Sequence, residues 1–97
     1  MLDKLTIDDF ESLIDRDVTL RFGDNEQAGR VVEVTRRGEK PPEGRQPFSI
    51  VVESGPKDGY WPQGTHVMVH PEHGELTLFM VPLGPGEHGM RYEIAIN

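Results

Sequence analysis

The sequence of 97 residues contains no cysteine. A chain without thiols has no disulfide framework, no cysteine nucleophile and no thiolate metal site. It also has no apolar run approaching the ~18 residues of a membrane-spanning helix. Its first residues, MLDKLTIDDF, lack the basic start and apolar core of a signal peptide. We therefore expect a cytoplasmic protein with no membrane contact and, at this length, one domain over residues 1–97.

Positive charge is scarce as well. The chain has 10 Lys and Arg against 17 Asp and Glu, a net charge of −7. This charge repels phosphate backbones, so nucleic acid is not expected as a partner. Half of the basic residues lie close together in the chain: Arg30, Arg36, Arg37, Lys40 and Arg45. This basic segment is either a contact for an acidic partner or a solvated loop.

Motifs for catalysis are missing. The three serines, Ser12, Ser49 and Ser54, lie outside any Gly-x-Ser-x-Gly motif, and no glycine-rich phosphate loop precedes a helix. The neighbouring carboxylates Asp8 and Asp9 are explained by their place at the start of a helix. We therefore expect no enzymatic activity and no cofactor.

The clearest helix signal lies near the N-terminus. Thr6 and Asp9 have the spacing of a helix cap, and Leu5 and Phe10 are placed for a hydrophobic staple. Apolar residues then recur on one helical face, so the pattern predicts a helix over about residues 6–15.

After this segment the apolar period changes from 3.6 to 2, and clusters of glycine and proline separate the apolar runs. The pattern predicts six strands, at about residues 17–22, 28–36, 48–53, 65–70, 75–82 and 90–96. A mainly β fold follows, with about six antiparallel strands in a small barrel or sandwich and one short N-terminal α-helix.

The stretch HVMVHPEHGELTLFMV, residues 66–81, reads as a β-hairpin. If residues 71–74 form the turn, His70 lies opposite Glu75. Alternation then predicts one face that packs in the core, made of Val67, Val69, Leu76, Leu78 and Met80. It predicts a second face made of His66, Met68, His70, Glu75, Thr77 and Phe79.

Three histidines in this hairpin suggest a metal site, but strand geometry weakens the idea. His66 and His70 would be roughly 13 Å apart, too far to bind one ion together. A divalent-metal or small-ligand site remains as an alternative, with His70, His73, Glu75 and His88 as its candidate residues.

A partner surface is the other candidate. Its apolar part would consist of Tyr60, Trp61, Met68 and Phe79, and its basic part of Arg36, Arg37, Lys40 and Arg45. If the sheet closes into a barrel, the second hairpin face is exposed and binds a protein partner or a second copy. If the helix or another sheet covers that face, these residues belong to the core instead.

Several segments together carry a family resemblance: LTIDDF at residues 5–10, GEKPPEGRQPFSIVV at 38–52, PQGTHVMVHPEHGELTLFMVPLGP at 62–85 and MRYEIAIN at 90–97. They resemble a family of small bacterial proteins of unknown function. Its members share a Leu-Thr-x-x-Asp-Phe helix, a His-Pro-x-x-Gly hairpin and a final Tyr-Glu strand; His70, Pro71 and Gly74 match that hairpin. The resemblance implies an accessory or assembly role beside phage-tail-like or tail-fibre proteins, and it implies no catalytic residues.

The sequence therefore favours a non-catalytic interaction or assembly module that binds a protein partner. The alternative is a protein that binds a divalent metal or a small ligand through its hairpin and loop histidines.

Overall fold

A computed structural model describes residues 5–39, 42, 46–56 and 59–96. In these residues the chain forms one short helix and six strands: α1 (Asp8–Glu11), β1 (Asp17–Phe22), β2 (Asn25–Arg36), β3 (Phe48–Ser54), β4 (Gly64–His70), β5 (Gly74–Pro85) and β6 (Met90–Ile96). The predicted mainly β class is confirmed, and of the two architectures left open the chain adopts the barrel.

The strands close into a barrel in the order β1-β2-β3-β6-β5-β4, with antiparallel neighbours throughout. The barrel consists of two three-stranded meanders, β1 to β3 and β4 to β6. They are hydrogen-bonded to each other through two pairs of strands. The β3–β6 pairing runs from Phe48↔Ile96 to Ser54↔Met90. The β1–β4 pairing is much shorter and comprises Thr19↔Val69, Leu20↔Met68 and Arg21↔Val67.

Alternation along the strands fills the barrel with apolar side chains. The most deeply buried of these are at most 1% exposed: Leu20, Phe22, Val31, Phe48, Ile50, Val52, Met68, Leu76, Met80, Tyr92 and Ile94. Gly29 faces this interior, and a Cβ there would lie 3.1 Å from Val52 Cγ1 and 3.3 Å from Leu20 Cδ1. The absence of a side chain at Gly29 therefore lets β2 approach the packed core.

Different segments cover the two ends of the barrel. At the helix end, where β1 begins and β4 ends, Leu5, Ile7, Phe10 and Leu13 are buried. The Phe10 ring lies 5.7 Å from that of Phe48. At the aromatic end, where β1 ends and β4 begins, the segment between β3 and β4 places Trp61 on Phe22.

The helix is shorter than the predicted residues 6–15. The Asp9 carboxylate accepts the Thr6 backbone N–H at 2.8 Å, so one half of the expected cap is present. Ile7, however, occupies the N-cap position and makes no side-chain cap bond. Beyond the helix, Asp15 adopts a left-handed conformation, φ 67°, and Ile14 forms a β-bridge with Val31. The chain joins the sheet there, which ends the helix early.

Two strands are longer than predicted. β2 begins at Asn25 and β5 continues to Pro85. Each contains a register shift, between Val31 and Glu33 in β2 and between Pro82 and Gly84 in β5. Such bulges keep a long strand paired while the barrel curves, and they interrupt the alternation that the sequence pattern relies on.

The predicted register of the β4–β5 hairpin is wrong by one residue. His70 lies opposite Gly74, not Glu75, and Met68 lies opposite Leu76. Gly74 has φ 72°, which lets the turn close one residue earlier. The faces of β5 are as predicted, but those of β4 are exchanged: Met68 and His70 are buried, whereas Val67 and Val69 are partly exposed.

In the described part of the chain, the structure has no helix that is long and apolar enough to cross a membrane.

Candidate functional site

The predicted partner residues do not form one surface. Tyr60 and Trp61 lie at the aromatic end, whereas Arg36 ends β2 at the helix end and is followed by Arg37. The longest dimension of the molecule is 42 Å. Lys40 and Arg45, the other basic residues of that prediction, lie outside the described residues. A partner that contacts the aromatic residues therefore does not meet Arg36 at the same site.

Met68 and Phe79 are separated as well. Met68 is fully buried inside the barrel, whereas Phe79 is 53% exposed on the outside of β5, opposite Thr65. Of the two alternatives for this face, Met68 belongs to the core, because the hairpin pairs one residue earlier than predicted and Met68 therefore points inward. Phe79 remains an exposed aromatic residue on the barrel wall.

A pocket of about 250 Å³ opens at the aromatic end. The described residues that line it are Gln27, Ser54, Pro56, Gly59, Tyr60, Trp61 and Tyr92. Tyr60 is 66% exposed at the rim, and Trp61 is half-buried beside it. Ser54 and Tyr92 are buried and belong to its inner part. The pocket thus combines exposed aromatic surface with buried polar atoms.

Three contacts fix the position of Trp61. Its indole stacks on Phe22 with ring centroids 5.5 Å apart and an interplanar angle of 6°. Its backbone N–H donates to the Tyr92 hydroxyl at 2.9 Å. Its indole Nε1–H donates to Gln27 Oε1 at 3.2 Å. The tryptophan is therefore held by stacking on Phe22 and by hydrogen bonds from both of its N–H groups.

The polar side of the pocket is a chain of hydrogen bonds. Gln27 Nε2 donates to Ser54 Oγ at 2.8 Å, and the Ser54 hydroxyl donates to the carbonyl oxygen of Ala28 at 2.6 Å. Gly55 lies against this chain with φ 71°, and a Cβ there would come within 2.7 Å of Gln27 Nε2. These bonds connect β2, β3 and the segment before β4, which makes the pocket a preformed site.

A second, smaller pocket of about 180 Å³ lies on the outside of β2 and β3. The residues lining it in the described chain include Asp17, Arg30, Glu53 and His88. Glu53 is only 6% exposed, and its Oε1 accepts the backbone N–H of His88 at 2.9 Å. This carboxylate therefore anchors the turn between β5 and β6, which accounts for its burial.

His70 has a structural explanation. It is 1% exposed, and its Nε2 lies 2.7 Å from the carbonyl oxygen of Asp9. Its Nδ1 accepts the backbone N–H groups of Glu72 at 3.0 Å and His73 at 3.2 Å. These partners assign the neutral ring with its proton on Nε2. His70 thus ties the hairpin turn to the helix, and both of its nitrogens are engaged.

The other candidate metal ligands are dispersed. Glu75 is on the outside of the barrel and forms an ion pair with Arg21. His88 lies in the turn between β5 and β6, whereas His73 lies in the turn between β4 and β5. In the described residues, no group of three or more His, Cys, Asp or Glu is arranged to hold a metal ion.

Asp9 and His73 form a close pair at the helix end, with Oδ1 and Nε2 3.1 Å apart. Burial acts to raise the pKa of Asp9, but the Thr6 backbone N–H and the His73 ring outweigh it and hold that pKa below its ordinary value of 3.8. The pair fastens the helix to the hairpin turn.

Sequence reasoning missed Gln27, Ser54 and Tyr92. One signal was available in the alternation of the strands. Gln27 lies an even number of residues before Val31 in β2, ahead of the bulge, and Ser54 lies two residues after Val52 in β3. Each therefore points to the same side of its strand as a buried valine. A polar residue at a position that alternation assigns to the interior needs a buried partner. That these two residues are each other's partner depends on the β2–β3 register, which the sequence pattern does not determine.

Comparison with known proteins gives one match. The model of a family described as a domain of unknown function, DUF6916, matches residues 5–96. No curated protein and no solved structure matches the chain.

Proposed function

Because the chain belongs to the DUF6916 family, a family of unknown function, we propose its role from its own geometry, as a non-catalytic protein-interaction or assembly module. The aromatic end binds a protein partner. The observation that carries the proposal is Tyr60, 66% exposed at the rim of a preformed pocket that Trp61 also lines.

Exposed aromatic residues beside a pocket are typical of binding hot spots. Tyrosine and tryptophan bury large areas at a small entropic cost, and they are enriched among residues that dominate interface energies. The hydrogen bonds of Trp61 with Tyr92 and Gln27 hold the pocket in place before a partner arrives. Binding then costs less free energy, because the side chains of the pocket are already ordered.

The same contacts argue against hydrolysis by Ser54. Its hydroxyl hydrogen is donated to the Ala28 carbonyl, and its oxygen accepts from Gln27. Among the described residues that line the pocket there is no histidine or carboxylate to act as a base. The pocket is instead suited to binding part of a partner, because hydrogen bonds within the protein already orient its polar atoms.

The proposal also includes a biological context, which we call the setting of the protein. We assign the module an accessory or assembly role beside phage-tail-like or tail-fibre proteins, in the cytoplasm. What supports this setting is the resemblance of residues 5–10, 38–52, 62–85 and 90–97 to the small bacterial proteins for which such a role is expected. A second copy of the chain is the other partner that the sequence leaves open.

Site-specific photo-crosslinking tests the proposal. A benzophenone derivative of phenylalanine replaces Tyr60 in cells that naturally produce the protein, and the control carries it in place of Phe79 on the barrel wall. We expect a crosslinked protein adduct from position 60 and little or none from position 79. Mass spectrometry then identifies the adduct, and twice the 10.9 kDa mass of the chain indicates self-association.

The opposite pattern, adducts at position 79 alone, would move the interface to the barrel wall. The absence of adducts at position 60 across growth conditions in which tail-like proteins are made would refute the proposal.

A further inference from the structure

We infer that the group bound in the aromatic pocket is an organic cation, the side chain of an arginine or lysine from the partner. This inference rests on the proposed function and specifies the chemistry of that same site.

Aromatic rings are the first reason. Of the described residues lining the pocket, Tyr60 and Trp61 carry phenol and indole rings that solvent can reach. The faces of such rings are negative and attract a cation within about 6 Å of the centroid. Phe22 covers one face of the Trp61 indole, so a ligand meets the other face or the edge.

Hydrogen-bond capacity is the second reason. Gln27 Oε1, Ser54 Oγ and the Tyr92 hydroxyl each accept one hydrogen bond from within the protein. Each of these oxygens has a second lone pair. The Ser54 hydrogen, by contrast, is already donated to Ala28. Guanidinium and ammonium groups only donate hydrogen bonds, so they match these three acceptor oxygens.

Charge is the third reason. None of the described residues that line the pocket is charged, and the whole chain carries −7. Asp24 and Glu87 are exposed in the two turns at the aromatic end. Arg91 also lies at this end, but it faces outward in the sheet, opposite Glu53. The net charge of the chain therefore favours the approach of a positive group over that of an anion.

Size is the fourth reason, because the pocket is small. The volume of about 250 Å³ falls below the range of roughly 300–1,000 Å³ that is typical of sites for drug-sized ligands and cofactors. One long side chain fits such a space, and the rest of the partner then contacts the rim at Tyr60 and Pro56.

The test uses Trp61, the only tryptophan, as the reporter. Its emission is followed while the protein is titrated with N-acetyl-arginine methylamide or with the citrulline analogue, at constant ionic strength. Citrulline has nearly the same shape and no charge. We expect a saturable change with the arginine derivative and about three- to thirty-fold weaker binding of the citrulline derivative. The lysine derivative should bind between the two or as well as arginine.

Two variants locate the effect. Tyr60→Leu keeps apolar bulk at the rim and removes the ring, and Phe79→Leu makes the same change on the barrel wall. Tyr60→Leu should weaken arginine binding with an unchanged melting temperature, while Phe79→Leu should leave binding intact. Equal binding of arginine and citrulline derivatives, or no effect of Tyr60→Leu, would overturn the inference.

Choline, titrated in parallel, distinguishes a partner side chain from a free small cation. Tighter binding of choline than of both amino-acid derivatives would reject a side chain as the source. If the crosslink at position 60 forms but charge has no effect on binding, the cation inference fails alone and the interaction function stands. If the cation binds but no partner crosslinks, the proposed function fails, and with it the partner as the source.

Discussion

At the scale of single residues, the histidine that looked most like a ligand is part of the framework. Both ring nitrogens of His70 are used, one toward Asp9 and the other toward two backbone N–H groups of the turn. A buried polar side chain with its partners satisfied stabilises one arrangement of the chain. The functional interest therefore moves from the histidines to Tyr60 and Trp61.

Asp9 gives a prediction about acid. Since its pKa is held below 3.8, its carboxylate stabilises the fold above the unfolded pKa, and this contribution is lost as pH falls through the folded pKa. Asp9→Asn should lower the free energy of unfolding by about 1 kcal/mol near neutral pH, and the difference should shrink below about pH 4. Urea denaturation followed by circular dichroism over a pH series measures both.

Asp8→Asn is the matched control, because Asp8 is exposed on the same helix. It should change the acid dependence far less than Asp9→Asn. A stability difference for Asp9→Asn that stays constant down to acid pH would contradict this account.

At the scale of elements, the strands were predictable, but the register of the β4–β5 hairpin was not. In β6 the inward residues Met90, Tyr92, Ile94 and Ile96 alternate with Arg91, Glu93 and Ala95, so one face is evident from the sequence. In β4 the residues on both sides of the strand are apolar, because Met68 lies between Val67 and Val69. Alternation cannot choose a face there.

The length of the turn between β4 and β5 decided which side chains of β4 point into the core. A three-residue turn before Gly74 exchanged the faces of that strand, and with them the expected site residues. The sequence did predict Tyr60 and Trp61 as candidates, but their pocket also needs Gln27, Ser54 and Tyr92, which come from other strands. Such long-range assembly depends on barrel closure, which local patterns do not specify.

The turn between β5 and β6 gives a prediction about close packing. A Cβ at Gly89 would lie 2.6 Å from the carbonyl oxygen of Gly55 and 2.9 Å from the carbonyl carbon of Ser54. Gly84 has a similar φ, 132° against 146°, but nothing within 4 Å of such a Cβ. Gly84→Ala should cost about 1 kcal/mol from backbone strain. Gly89→Ala should cost about 2 kcal/mol more, because the backbone must move.

Chemical denaturation of the two glycine variants measures this difference directly. Equal denaturation midpoints would mean that the turn can move away from β3 without cost. That result would also weaken the view that the pocket beside Ser54 is preformed.

At the scale of the whole molecule, the barrel depends on the segments that cover its ends. The N-terminal segment contributes Leu5, Ile7, Phe10 and Leu13 to the core. Burying each such side chain contributes about 1.5–3 kcal/mol, while a whole domain is stable by only about 5–15 kcal/mol. The segment before β1 is therefore an integral part of the fold.

Two substitutions in that segment test its role. Phe10→Ala removes a fully buried ring and should lower the free energy of unfolding by about 3–5 kcal/mol. Ile14→Ala changes a residue that is 38% exposed and should cost less than about 1.5 kcal/mol. Thermal and urea unfolding give both values. Similar, small losses for the two variants would show that the helix end unfolds separately from the barrel.

The closed order of the strands also limits how this protein can recognise anything. Each strand pairs with a neighbour on both sides over at least part of its length, so the described chain offers little unpaired strand backbone to which a partner could add a strand of its own. Recognition then depends mainly on the side chains that project from the barrel and its ends. Selectivity for a different partner could therefore arise from a few surface substitutions, while the hydrogen-bonded scaffold stays the same.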